Sequence, residues 1–363
     1  MNESDLTRNA AMLHGSLSRR GYCRWWHSFC GVQKETGAVR TFFVEFYILN
    51  PGLGGSQPIL GQHPYCRKKG LKPSYVCIKA GVLPDGEGNS GRQFHAFYPI
   101  EALKATPSPL VMQVGDCFYS EERIYGFVDV SREEARHKSL MSDAGSMEWD
   151  LEVHKAVACH TGFLSGAFLQ FFNALDSYWH GEGIKSFFRG TVILDGVSYE
   201  VEPETSNGYA DKHWGRNFNR PWIQIGCGSL TSEKNNRVLK HSCLAVNGCC
   251  PRFLFLPLKR KLLLQLTYMG EDFEFGISPF LLSRCKWETK ETNRRYIWHI
   301  IARNKNAVIK ISCSCTREEL MQMQYENPEG IKSRRPLLAG GNGVGTIQLY
   351  RLHMENTFCE YQA

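Results

Sequence analysis

Short runs of β-forming residues, each closed by a turn signal, set the pattern of this chain. Residues 22–29 and 39–49 are dense in aromatic and β-branched side chains. They flank Lys34-Glu35-Thr36-Gly37 and end on Asn50-Pro51-Gly52, which predicts a hairpin. Further strands are predicted over 74–80, 92–97, 109–114, 117–120 and 123–130. Residues 149–157 alternate apolar and polar side chains, and 187–194 with 197–201 form a hairpin around Asp195-Gly196. Strand-like runs continue over 222–227, 238–246, 252–258, 262–268, 273–277, 286–289, 295–302, 307–315 and 345–352. Helical spacing is confined to 162–177, where Phe163, Leu164, Ala167, Phe168, Phe171, Phe172 and Leu175 share one face. A polar stretch over 131–145 opens with the capping pair Ser131 and Glu134. Many short strands with one or two helices predict an all-β chain. Residues 1–20 are expected as a polar extension, 21–185 and 186–363 as two β domains, each large enough to close a barrel.

The 363 residues suffice for two cores, and 42% hydrophobic with 22% charged residues is ordinary for a globular protein. A formal charge of +7 comes from scattered basic residues and three clusters: Arg67-Lys68-Lys69, Lys259-Arg260-Lys261 and Arg294-Arg295. None interleaves aromatics as nucleic-acid modules do, so no nucleic-acid partner is expected, and the charge is read as solubility with weak attraction to anionic membrane surfaces. With a start of Met1-Asn2-Glu3-Ser4-Asp5-Leu6 no secretory signal is expected, and the longest apolar runs are too short to span a bilayer. The 14 cysteines include no Cys-x-x-Cys pair. They are expected as reduced, buried thiols in a cytoplasmic protein. His27, His63, His95, His154, His160, His241 and His299 show no ligand spacing, and neither a metal nor a cofactor is expected. The glycines of 341–345 precede a strand and not a helix, so a turn or bulge is expected there, not a phosphate cradle.

One stretch concentrates the chemistry. Gly208-Tyr209-Ala210-Asp211-Lys212-His213-Trp214-Gly215, followed by Pro221-Trp222-Ile223-Gln224, places an acid, a base, an imidazole and two indoles close together in sequence. A carboxylate beside a cation and an aromatic face builds a proton donor next to a cation-tolerant wall; the same groups also plug the end of a β-barrel.

These residues carry a family resemblance. With Tyr178-Trp179-His180-Gly181-Glu182-Gly183, Gly341-Asn342-Gly343-Val344-Gly345-Thr346-Ile347, and the opening Trp25-Trp26 with residues 42–51, the chain from about 20 to 352 resembles the tocopherol cyclase-like proteins. That lipocalin-related group also includes carotenoid hydratases. The resemblance implies two lipocalin-like β domains, barrel or sandwich, a lipophilic and often isoprenoid ligand, and, in some members, addition across a trisubstituted double bond. His213 stands where the family commonly shows Asn and Asp211 where plant cyclases show Glu, and no plastid transit peptide is expected, the start being neither Arg-rich nor long enough. These departures count against tocopherol itself as the product.

Protonating an alkene needs a carboxylic acid kept neutral by burial, with π faces for the resulting cation. On this reading Asp211 is the donor, Trp214 and Trp222 form the wall, and His180 with Glu182 orients the acid or a water. Trp25, Glu45, Tyr209, Lys212, His213 and Gln224 contact a hydrophobic small molecule. The bland readings stand beside these. Asp211 and Lys212 form an ion pair with Lys212 across Trp214 as a barrel closure, Glu45 is a solvated strand position, and His180 with Glu182 is a satisfied pair. A non-catalytic lipid carrier and a pericyclase-type template are the rival functions. The sequence is silent on oligomeric state.

Overall fold

Residues 22–33 and 39–49 do form a hairpin, and both strands are buried on both faces over most of their length, so their apolar residues run on without alternation. The computed structural model describes residues 9–159, 175–217, 222–250, 252–253, 256–257, 260–276, 283–332, 337–352 and 358–362. The chain is nearly all β, as its pattern predicts. It divides into two compact units: residues 1–158, 177–218 and 320–341, and residues 159–176, 219–319 and 342–363.

Unit 1 holds one large sheet. Its strands are β1 (Tyr22–Gln33), β2 (Val39–Leu49), β3 (Tyr75–Val82), β4 (Arg92–Tyr98), β5 (Lys104–Pro107), β6 (Leu110–Val114), β7 (Cys117–Tyr119), β8 (Arg123–Val130), β9 (Gly145–Val157), β10 (Ser177–Leu194), β11 (Val197–Val201) and β12 (Gly208–Gly215). Their order is β4-β3-β2-β1-β11-β10-β9-β8-β7-β6-β5, with β12 also paired between β1 and β10. The sheet curls into a barrel, because Trp25 of β1 and Phe46 of β2 pack on Tyr119 of β7, with ring centroids 6.5 and 5.7 Å apart. Phe29, Phe42 and Phe188 stack into the same interior.

The domain boundary expected at 185/186 falls within β10, a strand that belongs to unit 1 throughout and pairs with β9, β11 and β12. The motif strand β12, expected in the second domain, closes the sheet of the first. Asp195-Gly196 forms the predicted tight turn, both residues having positive φ (48° and 82°). The Ser131–Glu134 capping pair is present, with reciprocal bonds of 3.1 and 2.9 Å to backbone N–H groups, but it caps only a single 3-10 turn. The helix expected over 162–177 lies outside the described residues except for its last three positions, and Ser177 already begins β10. A short helix the pattern did not reveal, α1 (Pro64–Lys69), lies in the loop between β2 and β3.

The piece 320–341 returns to unit 1 as a strap over the outer face of β2, β3 and β4. Gln93 grips it twice, donating to Gln322 O (2.9 Å) and accepting from Gln324 N (3.0 Å). Tyr47 and Lys79 donate to Glu326 O and Gln324 O (2.8 and 3.1 Å). Glu326, fully buried, accepts from Gly61 N and Gln62 Nε2 (both 3.2 Å), and burial pushes its carboxyl up to about 6 against these hydrogen bonds. The native state therefore holds the proton more tightly than the unfolded chain, so stability falls as the pH rises from 4.5 to above 6, by about 2 kcal/mol from this group. Urea melts across that window should show the slope in the wild type and a flatter profile in Glu326→Gln; parallel profiles would refute the assignment.

Unit 2 packs two antiparallel sheets. The first is β13 (Ile223–Cys227), β14 (Cys243–Cys249), β17 (Lys261–Tyr268) and β18 (Glu271–Phe275), with β15 (Arg252–Phe253) and β16 (Leu256–Pro257) as a separate ribbon. The second is β19 (Arg284–Glu291), β20 (Arg295–Arg303), β21 (Ala307–Thr316), β24 (Val344–Leu352) and β25 (Phe358–Gln362); β22 (Met321–Met323) and β23 (Leu337–Ala339) belong to the strap. Leu244, Leu264 and Phe275 of one sheet share a core with Trp287, Ile300 and Ile309 of the other. The glycines of 341–345 lead into β24, as expected.

Candidate functional site

β12 is buried at every position and lies between two partners, with Trp26 opposite Asp211 and Trp25 opposite Lys212 on β1, and His180 opposite Lys212 and Trp179 opposite His213 on β10. Successive side chains of a strand point to opposite faces. The motif therefore serves two separate clusters, with Tyr209, Asp211 and His213 on the outer face and Lys212 and Trp214 on the barrel side.

On the outer face Asp211 is fully buried. Its Oδ2 accepts from Trp179 Nε1 (2.8 Å) and from the Tyr209 hydroxyl (3.1 Å). Trp26, its cross-strand neighbour, stacks on Phe43 with centroids 4.7 Å apart. Trp179, Tyr209 and Trp26 each keep a small exposed edge. His213 bonds the Tyr22 hydroxyl through Nδ1 (2.7 Å) and Ser177 Oγ through Nε2 (3.3 Å), and burial with the nearby Arg24 charge holds its imidazole well below the usual range.

Glu45 lies on this face too, and it is not the solvated position that alternation allows. It is fully buried beneath Tyr325 of the strap. Its carboxylate receives Arg24 Nη1 at 3.0 Å, Lys79 Nζ at 3.3 Å and the Tyr325 hydroxyl at 2.5 Å, and the Lys79 ammonium sits 3.2 Å from the Tyr325 ring centroid. Burial works against the Arg24 charge, but Tyr325, Glu45 and Asp211 together raise its pKa; at Lys79 burial wins and its pKa is lowered.

The barrel side holds the other half of the expected site. Lys212 donates to Ala10 O and lies 4.5 Å from the Trp214 ring centroid and 5.9 Å from that of Trp25, and burial lowers its pKa. Lys212 thus lies across Trp214 as the barrel-closing reading has it, but Asp211, the expected ion partner, is on the other face of the strand. Glu182, two positions from His180 and next to the register shifts that flank Gly183 in β10, meets Lys155 Nζ (2.9 Å) and the Tyr119 hydroxyl (3.0 Å). A Cβ at Gly183 would come within 2.9 Å of the Lys155 stem, so the close approach needs glycine here. Lys155 also binds Glu121 (2.7 Å), which in turn accepts twice from Asn9 Nδ2. Burial opposes the Lys155 charge, but the two glutamates raise its pKa; burial pushes Glu182 up as well.

The structure thus separates residues that the sequence reading joined. Trp214, three positions from Asp211, points to the opposite face and is not its wall, because an odd separation on a strand reverses the side. His180 and Glu182 share the Lys212 side and cannot orient Asp211. Trp222 and Gln224 belong to unit 2, where Gln224 sits on β13 opposite Asn247. The aromatic partners of Asp211 are instead Trp179, Tyr209 and Trp26. Lys155, Glu121 and Tyr119 were missed, although Lys155 shares the parity of Trp149, Leu151 and Val153 on a strictly alternating strand. Among the described residues no three His, Cys, Asp or Glu side chains group as metal ligands do. No helix among them is long and apolar enough to cross a membrane.

No protein-family model and no curated protein matches the chain. Among solved structures, an AttH candidate from Nitrosomonas europaea is similar with a TM-score of 0.43 and 11% identity, over 83% of this chain and 82% of its own. Kievitone hydratase from Nectria haematococca is similar with a TM-score of 0.41 and 12% identity, over 93% and 86%. Neither likeness carries a reading of its chemistry over to this chain.

Proposed function

We propose that the chain binds a hydrophobic, isoprenoid-bearing small molecule on the Asp211 face and adds a proton to one of its double bonds, leading to cyclisation or hydration. The observation that carries this reading is a fully buried carboxyl group beside two indoles and a phenol, with Trp179 Nε1 and the Tyr209 hydroxyl donating to Oδ2. In the acidic form Oδ2 accepts from Trp179 and Tyr209, and Oδ1 carries the proton that passes to the alkene. The π faces of Trp26, Trp179 and Tyr209 suit the tertiary cation that follows, which a phenol oxygen or water captures.

One observation favours a second reading. Arg24 and Asp211 attract each other, and two donors on Oδ2 stabilise negative charge there. A carboxylate kept ionised among aromatic rings belongs to a binding site, and a lipid carrier acting in the cytoplasm has the same surface. Incubation with prenyl-substituted phenols and acyclic polyenes in heavy-oxygen water separates the two: hydration adds one labelled water and cyclisation yields an isomer of unchanged mass. Asp211→Asn keeps the size of the side chain and an oxygen for Trp179 and Tyr209. It is expected to lower turnover at least about a hundredfold while ligand-induced tryptophan quenching persists. Binding without any product in the wild type would leave the carrier.

A further inference from the structure

We propose that the loop between β2 and β3, carrying α1, docks unit 1 onto an anionic lipid surface. The loop is held rigidly at its base. Asn50, in the left-handed region at φ 46°, accepts from Gly21 N (2.9 Å) and donates to Pro73 O (2.7 Å) and Pro328 O (2.8 Å), which ties both ends of the loop to the strap. Ile59 and Ser74 exchange two backbone bonds of 2.9 Å, and Glu326 holds the underside through Gly61 and Gln62.

The opposite side of this platform faces outward. Pro64 starts α1 and Gly70 ends it at φ 63°, with Leu71 N bonded back to Cys66 O (2.9 Å) and Gly70 N to Arg67 O (3.2 Å). That cap fixes Leu71 beside the helix, exposed at 43%, while Tyr65 is exposed at 59%. Arg67, Lys68 and Lys69 are exposed between them, and Tyr65, Lys68 and Lys69 share a helix face by their spacing. From Phe46 through Pro84 the sequence holds no Asp or Glu. Two acidic groups of the strap reach the loop: Glu326 on its buried underside, bonded to Gly61 and Gln62, and Glu329, engaged by Arg20 (2.5 Å) and Lys72 (3.2 Å).

A buried anchor, three adjacent cations free of carboxylate neighbours on their own loop, and an exposed phenol and leucine match the interface of an anionic bilayer. The cations meet headgroups there, while Tyr65 and Leu71 enter the acyl boundary. A lipophilic substrate resides in such a surface, but the docking does not depend on any chemistry at Asp211.

Co-sedimentation with phosphatidylcholine vesicles, with and without phosphatidylserine, tests this on the full chain. Binding is expected to require phosphatidylserine and to weaken at high salt. Arg67→Glu/Lys68→Glu/Lys69→Glu is expected to lower the partition coefficient at least roughly a hundredfold with an unchanged β spectrum by circular dichroism. Tyr65→Ser/Leu71→Ser should weaken the binding that survives at high salt. Equal partition of wild type and the triple variant, indifference to phosphatidylserine, or capture of heparin without capture of vesicles would overturn the assignment.

Discussion

Lys155→Met is expected to cost about 3–5 kcal/mol of folding free energy at neutral pH, although methionine is apolar and fits the volume. The lysine side chain is 1% exposed and sits between Glu121 and Glu182, themselves 9% and 0% exposed. Taking the ammonium away leaves two carboxylates facing each other in the barrel interior, with Tyr119 as the remaining donor to Glu182. Their repulsion is relieved only by protonation, and burial already pushes Glu182 up. The deficit should therefore shrink as the pH is lowered from 7 to 5, since the variant takes up a proton on folding that the unfolded chain does not hold. Replacing Lys155, Glu121 and Glu182 together by apolar residues of similar volume should recover most of the loss, because the desolvation of all three charges is then removed with their attraction. Urea unfolding of the single and triple variants measures both. A single variant within about 1 kcal/mol of wild type at pH 7 would show that the cluster holds no such charge.

How far this architecture was legible depends on whether a strand has one face or two to cover. β9 alternates, so its apolar set announced a strand and its inward parity, and Lys155 was visible as a cation on the core side. Alternation marks β9 as a strand, and the polar residue that breaks it on the buried parity marks the charge inside. β1 and β2 give no such help, since both of their faces are buried and apolar side chains occupy both parities. What covers the second face is the strap, whose Tyr325 lies 280 residues from Glu45 in sequence. No local signal in β2 announces a covering element from so far along the chain. The hairpin turns were readable because Gly37 and Asp195-Gly196, at positive φ, mark them locally.

The candidate site was legible in location and not in membership. The motif strand is central and buried, as its composition suggests. Its division into two faces follows from a period of two, so Trp214 was separable from Asp211 on paper. Trp179 and Trp26 were not assignable to Asp211 until the pairing order was known, because β12 inserts between β1 and β10 across a bulged register. Chemistry that depends on neighbouring strands is set by topology, which a single sequence does not print.

The outer face offers the mirror image of the Lys155 experiment. Glu45→Ala removes the carboxylate that receives Arg24, Lys79 and the Tyr325 hydroxyl, and leaves two buried cations. A loss of about 3–5 kcal/mol at pH 7 is expected, whereas Tyr325→Phe, which deletes one hydroxyl, should cost about 1–3 kcal/mol. The pH dependence runs opposite to that of the barrel cluster. Lys79 is held below its ordinary range by burial, and Glu45 is the strongest of the groups that pull it back up. Without Glu45 the lysine is depressed further, so the unfolded chain binds a proton that the folded variant resists, and stability rises with pH until the unfolded lysine titrates. The Glu45→Ala deficit should therefore narrow between pH 7 and about 9.5, where the Lys155→Met deficit should not. Paired urea melts at those two pH values decide it. Deficits that move together with pH would mean that the two clusters are not, as their geometry has it, one rich in anions and the other in cations.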